Sequence, residues 1–259
     1  MRKEQISQGY INDTKRRHRA ALSRYAMDRT AIVVGSNLRD NIGHAIAVEL
    51  GESGFETVVE PTVSELNVTD SSSIIEPWFD AHAEADTLVL AQGVNEMAWF
   101  EDARYIRNVI DVNLTGTAVA AQAFVRATLN TDYHKTIVMI GSMAYTSVLN
   151  ASAVYCASKA GLAMLARCLA WELAPKGYTV VAVHPSNTEG TPMTEATIEG
   201  LMRVRHITRT EAEAYWGAVL PKEHWLQPED IASVVSYIAH GGAGGYLSGA
   251  NLELRGGQR

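Results

Sequence analysis

The stretch that decides the fold is TAIVVGSNLRDNIGHAIA, residues 30–47. Its first five residues are all apolar or β-branched and end at Gly35, a pattern typical of a buried parallel strand. Ile42, Ile46 and Ala47 then recur at helical spacing. A strand, a glycine turn and a helix in this order predict the first unit of a parallel α/β sheet.

The same alternation continues along the chain. Further runs of strand composition and length lie at residues 56–60, 85–93, 135–142, 179–185 and 251–255. Helical patterns lie at residues 105–129, after 152 and at 228–239, while the connection from 60 to 67 is too short for a helix. We therefore expect a single doubly wound, Rossmann-like parallel sheet with helices on both faces. Ligands bind such a sheet beyond the carboxyl ends of its strands.

Charge and composition divide the chain into two parts. Residues 1–29 form a basic arm with eight Lys or Arg and three Asp or Glu, although the whole chain has a formal charge of −7. The arm could contact nucleic acid or a membrane, but a solvated or subunit-contacting helix is the better explanation. Residues 30–259 are expected to form the Rossmann domain, with an aromatic-bearing segment, 186–227, as a lid over the substrate.

The overall composition excludes several classes of protein. An acidic chain is a poor partner for nucleic acid or an anionic membrane, and no continuous apolar run reaches the ~18 residues of a transmembrane span. Cys156 and Cys168 would lie about 18 Å apart along one helix, too far to form a disulfide. We expect a cytoplasmic protein with a small-molecule substrate, and we predict no metal site.

Chemistry is concentrated in the segment YCASK, in which Tyr155 and Lys159 are separated by one helical turn. A free phenol, with a pKa near ~10, is a poor proton donor or acceptor at neutral pH. A neighbouring ammonium should lower that pKa toward values useful in acid–base catalysis. Ser142, thirteen residues earlier at the end of an apolar run, could hydrogen-bond the oxygen of a carbonyl or alcohol.

The order of these features resembles the short-chain dehydrogenase/reductase family, from about Thr30 to Gly257. The family uses a Ser-Tyr-Lys set assisted by an Asn, and Asn113 in VIDVNLTGT matches that Asn, whose backbone holds a water beside the lysine. The resemblance implies hydride transfer between a nicotinamide cofactor and a secondary alcohol or ketone. It also implies a homotetramer, with a dimer as the alternative.

The predicted phosphate loop departs from the family pattern. The usual spacing is Gly-x-x-x-Gly-x-Gly, whereas GSNLRDNIGHAIA has a loop two residues longer, similar to that of the divergent enoyl-reductase branch. Two alternatives to ketone chemistry therefore stay open: enoyl reduction, and dinucleotide binding without turnover. The predicted cofactor contacts are Gly35, Asn37, Arg39, Asn41, Ile42, Glu60, Asn67, Val68, Gly93, Tyr155, Lys159, Pro185 and Thr188.

The residue that would select between cofactors follows the second strand. Glu60 could bond the ribose hydroxyls and repel a 2′-phosphate, which favours NAD(H) over NADP(H). Pro61, however, stands at the position where the family usually has its acid, and Arg39 could accept a 2′-phosphate instead.

Overall fold

The computed structural model describes residues 29–218 and 225–256. Within them, six strands form one parallel sheet in the order β2-β1-β3-β4-β5-β6. The strands are β1 (Thr30–Val34), β2 (Thr57–Val59), β3 (Thr87–Leu90), β4 (Lys135–Ile140), β5 (Tyr178–Pro185) and β6 (Asn251–Leu254). The predicted doubly wound sheet is confirmed.

The helices of the described chain cover both faces of this sheet. They are α1 (Ile42–Glu52), α2 (Ser72–Asp80), α3 (Ile106–Ile110), α4 (Gly116–Thr128), α5 (Ala153–Leu173), α6 (Pro192–Arg205), α7 (Arg209–Gly217) and α8 (Pro228–Ala239). A π-helical turn, Asp111–Thr115, joins α3 to α4.

The core has two layers because successive strand residues point to opposite faces. Ile32 and Leu88 belong to the layer formed with α2, α4 and α5. Val33 and Val89 belong to the layer formed with α1 and α8. Both faces of the central strands are buried, which explains why their sequences are continuously apolar rather than alternating.

The topology places a crevice between β1 and β3. The chain runs from β1 outward to β2 and then returns to the other side of β1, where Val34 pairs with Leu90. Such a switch point in strand order leaves room for a ligand at the carboxyl ends of the strands. The loops after β1, β3, β4 and β5 all reach this edge.

Several elements differ from the prediction. Residues 186–227 were expected to be irregular, but they contain α6 and α7, and α2 was not predicted. The continuous helix expected at 105–129 is interrupted by the π turn. The absence of a helix between residues 60 and 67 is confirmed, since only a short turn lies there.

Within residues 29–218 and 225–256, one helix meets the length and hydropathy of a membrane span, from Ala153 to Lys176. It includes α5, which packs on the core layer that contains β5 and carries Tyr155 and Lys159 on its buried side. The basic arm, residues 1–29, lies outside the described residues except for its last position, Arg29.

Candidate active site

The three predicted catalytic side chains converge at the carboxyl end of β4. Ser142 follows the strand after a single glycine, while Tyr155 and Lys159 lie in the first two turns of α5. Tyr155 is 6% exposed and Lys159 is 3% exposed. All three line one cavity, where the hydroxyl of Tyr155 donates to Sδ of Met193 at 3.9 Å.

Burial sets the acidity of both titratable groups. It raises the pKa of Tyr155 above its ordinary value, against a smaller lowering by the nearby side chain of Ser142. Burial also lowers the pKa of Lys159 to about 8. The expectation that Lys159 would lower the pKa of the phenol is therefore wrong for the chain by itself, because loss of hydration disfavours phenolate and ammonium alike.

The lysine is held in place by the strand beside it. Its Nζ donates to the carbonyl of Ile140 at 2.9 Å and lies 5.7 Å from the centre of the Tyr155 ring. The ammonium thus lies beside the phenol without bonding its oxygen. Its remaining N–H groups can donate to a ligand in the cavity.

Ser142 is positioned by a short turn of 3₁₀ helix, Met143–Tyr145. It is the N-cap of that turn, and its Oγ accepts from the amide of Ala144 at 3.1 Å. Because this bond uses a lone pair of Oγ, the hydroxyl proton is left to be donated elsewhere. The direction open to it is the cavity, where Tyr155 also lies.

Asn113 is fully buried in the π turn and holds the loop that follows β3. Its side chain accepts from the amide of Val94 at 2.8 Å and donates to the carbonyl of Val94 at 2.9 Å and to Ser158 Oγ at 3.0 Å. Its backbone carbonyl accepts from Thr117 at 3.0 Å. The sequence did not predict that the side chain of Asn113 would hold the backbone of Val94 by two hydrogen bonds. Single π turns of this kind are frequent at functional sites.

The turn after β1 forms a close-packed cradle. Gly35 has a φ of +89°, and a Cβ there would lie 2.5 Å from the backbone nitrogen of Gln92. A Cβ on Gly43 would lie 2.4 Å from the Gly35 carbonyl oxygen. Glycine is required at both positions, because the start of α1 touches the end of β1.

Asn41 stabilises this cradle from two sides. Its Oδ1 accepts from the amide of His44 at 2.7 Å as the N-cap of α1, and its Nδ2 donates to the Gly35 carbonyl at 3.0 Å. The lengthened loop is therefore tied to both the strand and the helix. A helix N-terminus held in this way can bind the anionic phosphates of a dinucleotide.

A cavity of about 510 Å³ connects the cradle with the catalytic side chains. Most of the predicted contacts line it: Gly35, Asn37, Asn41, Ile42, Asn67, Val68, Gly93, Ser142, Tyr155, Lys159, Pro185 and Thr188. The set combines a glycine cradle, a helix N-terminus and a lysine at the far end. The residues present fit a dinucleotide that extends along the strand ends.

Arg39 and Glu60, the two residues predicted to select the cofactor, are not among the residues that line the cavity. Glu60 pairs with Nδ1 of His44 at 3.1 Å, and Pro61 lines the cavity in its place. Arg39 lies in a separate surface cleft that also contains Glu49. The sequence could not show these placements, because they depend on contacts between α1 and the end of β2.

The substrate end of the cavity is formed partly as predicted. Met193, on α6, and Trp216, on α7, line it together with Thr191 at the start of the lid. Trp99 and Phe100, two aromatic residues in the segment after β3, are exposed and do not line it. The lining residues that the sequence analysis missed include Val94, Asn95, Leu149 and Asn187.

Comparison with known proteins identifies the family. The sequence model of the short chain dehydrogenases matches residues 62–201. The chain is 31% identical to the 3-oxoacyl-[acyl-carrier-protein] reductase of Escherichia coli, over 88% of this chain and 87% of that protein. It is 29% identical to D-arabinitol 2-dehydrogenase of Candida tropicalis, over 74% of this chain and 67% of that protein.

Solved structures show the same fold. Actinorhodin polyketide ketoreductase with NADPH has a TM-score of 0.79 at 25% identity, covering 89% of this chain and 97% of that one. A 3-oxoacyl-[acyl-carrier protein] reductase from Brucella melitensis in complex with NAD has a TM-score of 0.75, with the same identity and the same coverage.

The chain belongs to the short-chain dehydrogenase family. It is an NAD(P)-dependent oxidoreductase that acts on a CH–OH or C=O group, as the sequence motifs predicted.

Proposed function

We propose that Tyr155, Ser142 and Lys159 carry out the proton chemistry of this oxidoreductase. One observation carries the proposal: Tyr155, Ser142 and Lys159 line the same cavity as the Gly35 cradle, with Lys159 Nζ 5.7 Å from the centre of the Tyr155 ring. The oxygen of a ketone or secondary alcohol placed there would contact both hydroxyls. Tyr155 donates or removes the proton, and Ser142 donates a hydrogen bond to the same oxygen.

Cofactor binding is assigned to the rest of the cavity. Gly35, Asn37, Asn41 and Ile42 would hold the pyrophosphate at the start of α1. Asn67 and Val68 would hold the adenine, and Gly93 would permit close approach of the backbone. Pro185 and Thr188 would lie against the nicotinamide. A bound nicotinamide supplies or accepts the hydride at the carbon next to the substrate oxygen.

Lys159 would act on both cofactor and tyrosine. Nζ has donors left for the nicotinamide ribose after its bond to Ile140. Its positive charge stabilises the phenolate of Tyr155 while the proton is transferred. Asn113 would support the lysine through a water at its backbone carbonyl, and it fixes Val94 beside the site through its side chain.

We further propose a modest preference for NAD(H). The support is the carboxylate of Glu60 next to the cavity-lining Pro61, where it would repel a 2′-phosphate. The contact between His44 Nδ1 and one oxygen of the Glu60 carboxylate, at 3.1 Å, turns part of this carboxylate toward the protein, so the preference should be small. Glu60→Gln should raise NADPH affinity while changing NADH affinity little.

The substrate is proposed to be a small carbonyl or alcohol compound. Relatives act on a polyol in one case and on a 3-oxoacyl thioester in another, as their names state. The cavity lining combines polar Asn95 and Asn187 with apolar Leu149 and Met193, a mixture compatible with either class. Neither relative is named as an enoyl reductase. The long phosphate loop is therefore the one feature that favours enoyl reduction as the alternative reaction.

The experiment is a fluorescence titration with NADH and NADPH, followed by turnover assays. The panel contains polyols with their ketoses, 3-oxoacyl thioesters and enoyl thioesters. Turnover of a ketone or secondary alcohol is the expected result. Binding of the dinucleotide without turnover of any member would favour a non-catalytic dinucleotide-binding protein.

We propose that the protein is cytoplasmic and forms a homotetramer or a dimer. We further propose two parts of the chain: a basic arm, residues 1–29, and a catalytic domain, residues 30–259, whose substrate lid is residues 186–227. The support for assembly is the apolar outer side of α5, where Trp171 is 86% exposed and Met164 is 54% exposed. Large apolar side chains grouped on one exposed face are typical of a contact surface.

A further inference from the structure

Ser142 leaves the sheet at a point where the strand ladder cannot continue. The amide of Gly141 donates to the carbonyl of Val183 at 2.7 Å, as in an ordinary parallel pair. The next donor along β5 would be residue 185, but Pro185 has no N–H group. The regular ladder therefore ends here, and the amide of Ser142 donates to a side chain of β5, Nδ1 of His184, at 3.2 Å.

His184 is completely buried and fixed on every side. Its ring stacks on Tyr145 with 3.9 Å between the ring centres, and its Nε2 lies 2.9 Å from Oδ1 of Asn251. Gly141 leaves the space for the ring, because a Cβ there would lie 2.2 Å from Nδ1. The imidazole therefore cannot turn away from Ser142 without displacing its neighbours.

Nδ1 of His184 lies near both backbone groups of Ser142, 3.2 Å from the amide nitrogen and 3.1 Å from the carbonyl oxygen, so the contact at Nε2 decides between the two tautomers. The oxygen of Asn251 is an acceptor, so Nε2 carries the proton and Nδ1 has the free lone pair. That lone pair accepts from the amide of Ser142, while the Ser142 carbonyl accepts from the amide of Tyr145 at 3.0 Å. In this state both ring nitrogens and both backbone groups of Ser142 are satisfied.

We propose that neutral His184 is a positioning residue, which extends the strand ladder by one residue and so aims the hydroxyl of Ser142 at the substrate oxygen. The inference rests on the role proposed for Ser142 above. The backbone of Ser142 is extended, with φ −169° and ψ 153°, and its Oγ is already held by Ala144. With the amide held as well, the direction of the hydroxyl is fixed.

Protonation would reverse the contact. Nδ1 would then become a donor toward the carbonyl of Ser142, 3.1 Å away, and the buried Ser142 amide would lose its acceptor. The charged groups that act on the ring are Lys159 and Glu253. Glu253 accepts hydrogen bonds from Arg255 and from Tyr145. The ring of Tyr145 covers one face of the imidazole. Burial lowers the pKa of His184, and the charge of Lys159 acts in the same direction. The bonds to Asn251 and Ser142 and the charge of Glu253 oppose this lowering.

Two variants separate positioning from structural support. The amide of His184→Asn can place an acceptor near the Nδ1 position, whereas that of His184→Gln reaches the Nε2 position. We expect His184→Gln to lose about 10- to 100-fold in kcat, as a misplaced reactive group does, with NADH affinity unchanged. His184→Asn should retain most of the turnover. In the native enzyme we expect kcat to fall at acidic pH as His184 becomes protonated, and this fall should be absent from His184→Asn.

Equal kcat losses in the two variants, or unchanged kcat in both, would overturn the proposal. A second measurement needs neither turnover nor a variant that folds well. Nitrogen NMR of histidine-labelled native protein should show a neutral buried imidazole with its proton on Nε2. A proton on Nδ1 at neutral pH would refute the proposal even if the enzyme is active. Absence of turnover with every substrate would refute the proposed function and leave the NMR result to decide the role of His184.

Discussion

At the scale of single residues, the site depends on groups whose ordinary ionisation is changed by burial. Tyr155 and Lys159 are each destabilised in their charged forms by loss of water, and the phenol gains no direct bond from the ammonium. The catalytic acidity of the tyrosine must therefore arise with substrate and cofactor in place. In the chain by itself, the side chains are positioned for proton transfer, but the pKa of Tyr155 is raised and not lowered.

Lys159→Met tests the cost of that buried charge. The pKa of Lys159 is about 8 in the folded chain and 10.5 as the ordinary value, so the unfolded chain binds more protons between these pH values. Stability of the native protein should therefore rise with pH across that window, by at most about 3 kcal/mol, relative to the methionine variant. Denaturant unfolding of both proteins at pH 7, 8, 9 and 10 measures the difference. A difference that does not change with pH would contradict the burial of a charged lysine.

At the scale of elements, much of the fold followed from local pattern. The continuous apolar runs predicted β1, β3, β4 and β5 because strands buried on both faces need no alternation. Helix α8 was predicted with its exact bounds, since Pro228 and two following acids mark a helix start. Helix α2 was missed because it begins with serines and contains Pro77, which disguise an amphipathic segment.

Other elements depend on tertiary contacts that no local pattern records. The π turn at Asp111–Thr115 forms around the bonds from Asn113 to Val94 and Ser158, residues far away in the sequence. The pairing of Glu60 with His44 also depends on how α1 lies against β2. His184 was read only as part of a strand, since nothing in TVVAVHP distinguishes a structural histidine from a positioning one.

Asn41→Ala tests the cap of α1. Loss of the bonds to His44 and Gly35 should lower the unfolding free energy by about 1 kcal/mol, the usual cost of an N-cap. It should also weaken NADH binding, because the cradle loses its tie, with kcat at saturating cofactor nearly unchanged. Denaturant unfolding and cofactor titration measure the two effects.

The matched control is Ser71→Ala, at the N-cap of α2. Its side chain makes no cap hydrogen bond, so the same truncation should change neither stability nor affinity appreciably. Equal effects in the two variants would show that Asn41 has no special role at the cradle.

Asn113→Ala tests the π turn. It leaves the amide and carbonyl of Val94 without partners, and we expect a loss of about 2–4 kcal/mol in unfolding free energy. Thr117→Val removes the bond to the Asn113 carbonyl and the bond that Gln92 Nε2 donates to Thr117 Oγ1 at 3.0 Å, but it leaves both backbone groups of Val94 paired, so it should cost less than Asn113→Ala. Unfolding in urea ranks the variants, and the reverse order would mean that the side chain of Asn113 does not hold the loop.

At the scale of the whole molecule, the sheet brings distant parts of the chain to one edge. The cradle at Gly35, the loop clamped by Asn113, and Ser142 all follow strands that end on the same side. Helix α5 brings Tyr155 and Lys159 to that edge from one face and leaves Trp171 exposed at its far end. The candidate active site and the proposed contact surface thus lie on the buried side and the exposed side of the same helix.

Trp171→Lys tests the assembly. If α5 forms a subunit contact, a charge in place of the indole should shift the light-scattering mass of the particle toward one chain. Tyr246→Lys, at an exposed aromatic residue outside α5, should leave the mass unchanged. A native protein that already has the mass of one chain would contradict the proposed oligomer.

The most direct test of the central claim is the paired measurement of NADH affinity and turnover in Tyr155→Phe. The variant keeps the buried ring and loses only the hydroxyl, in the cavity that Ser142 also lines. We predict native-like NADH binding with turnover reduced by at least about 100-fold, the lower range of acid–base contributions. Native turnover in this variant would contradict the assignment of Tyr155 as the proton donor and acceptor.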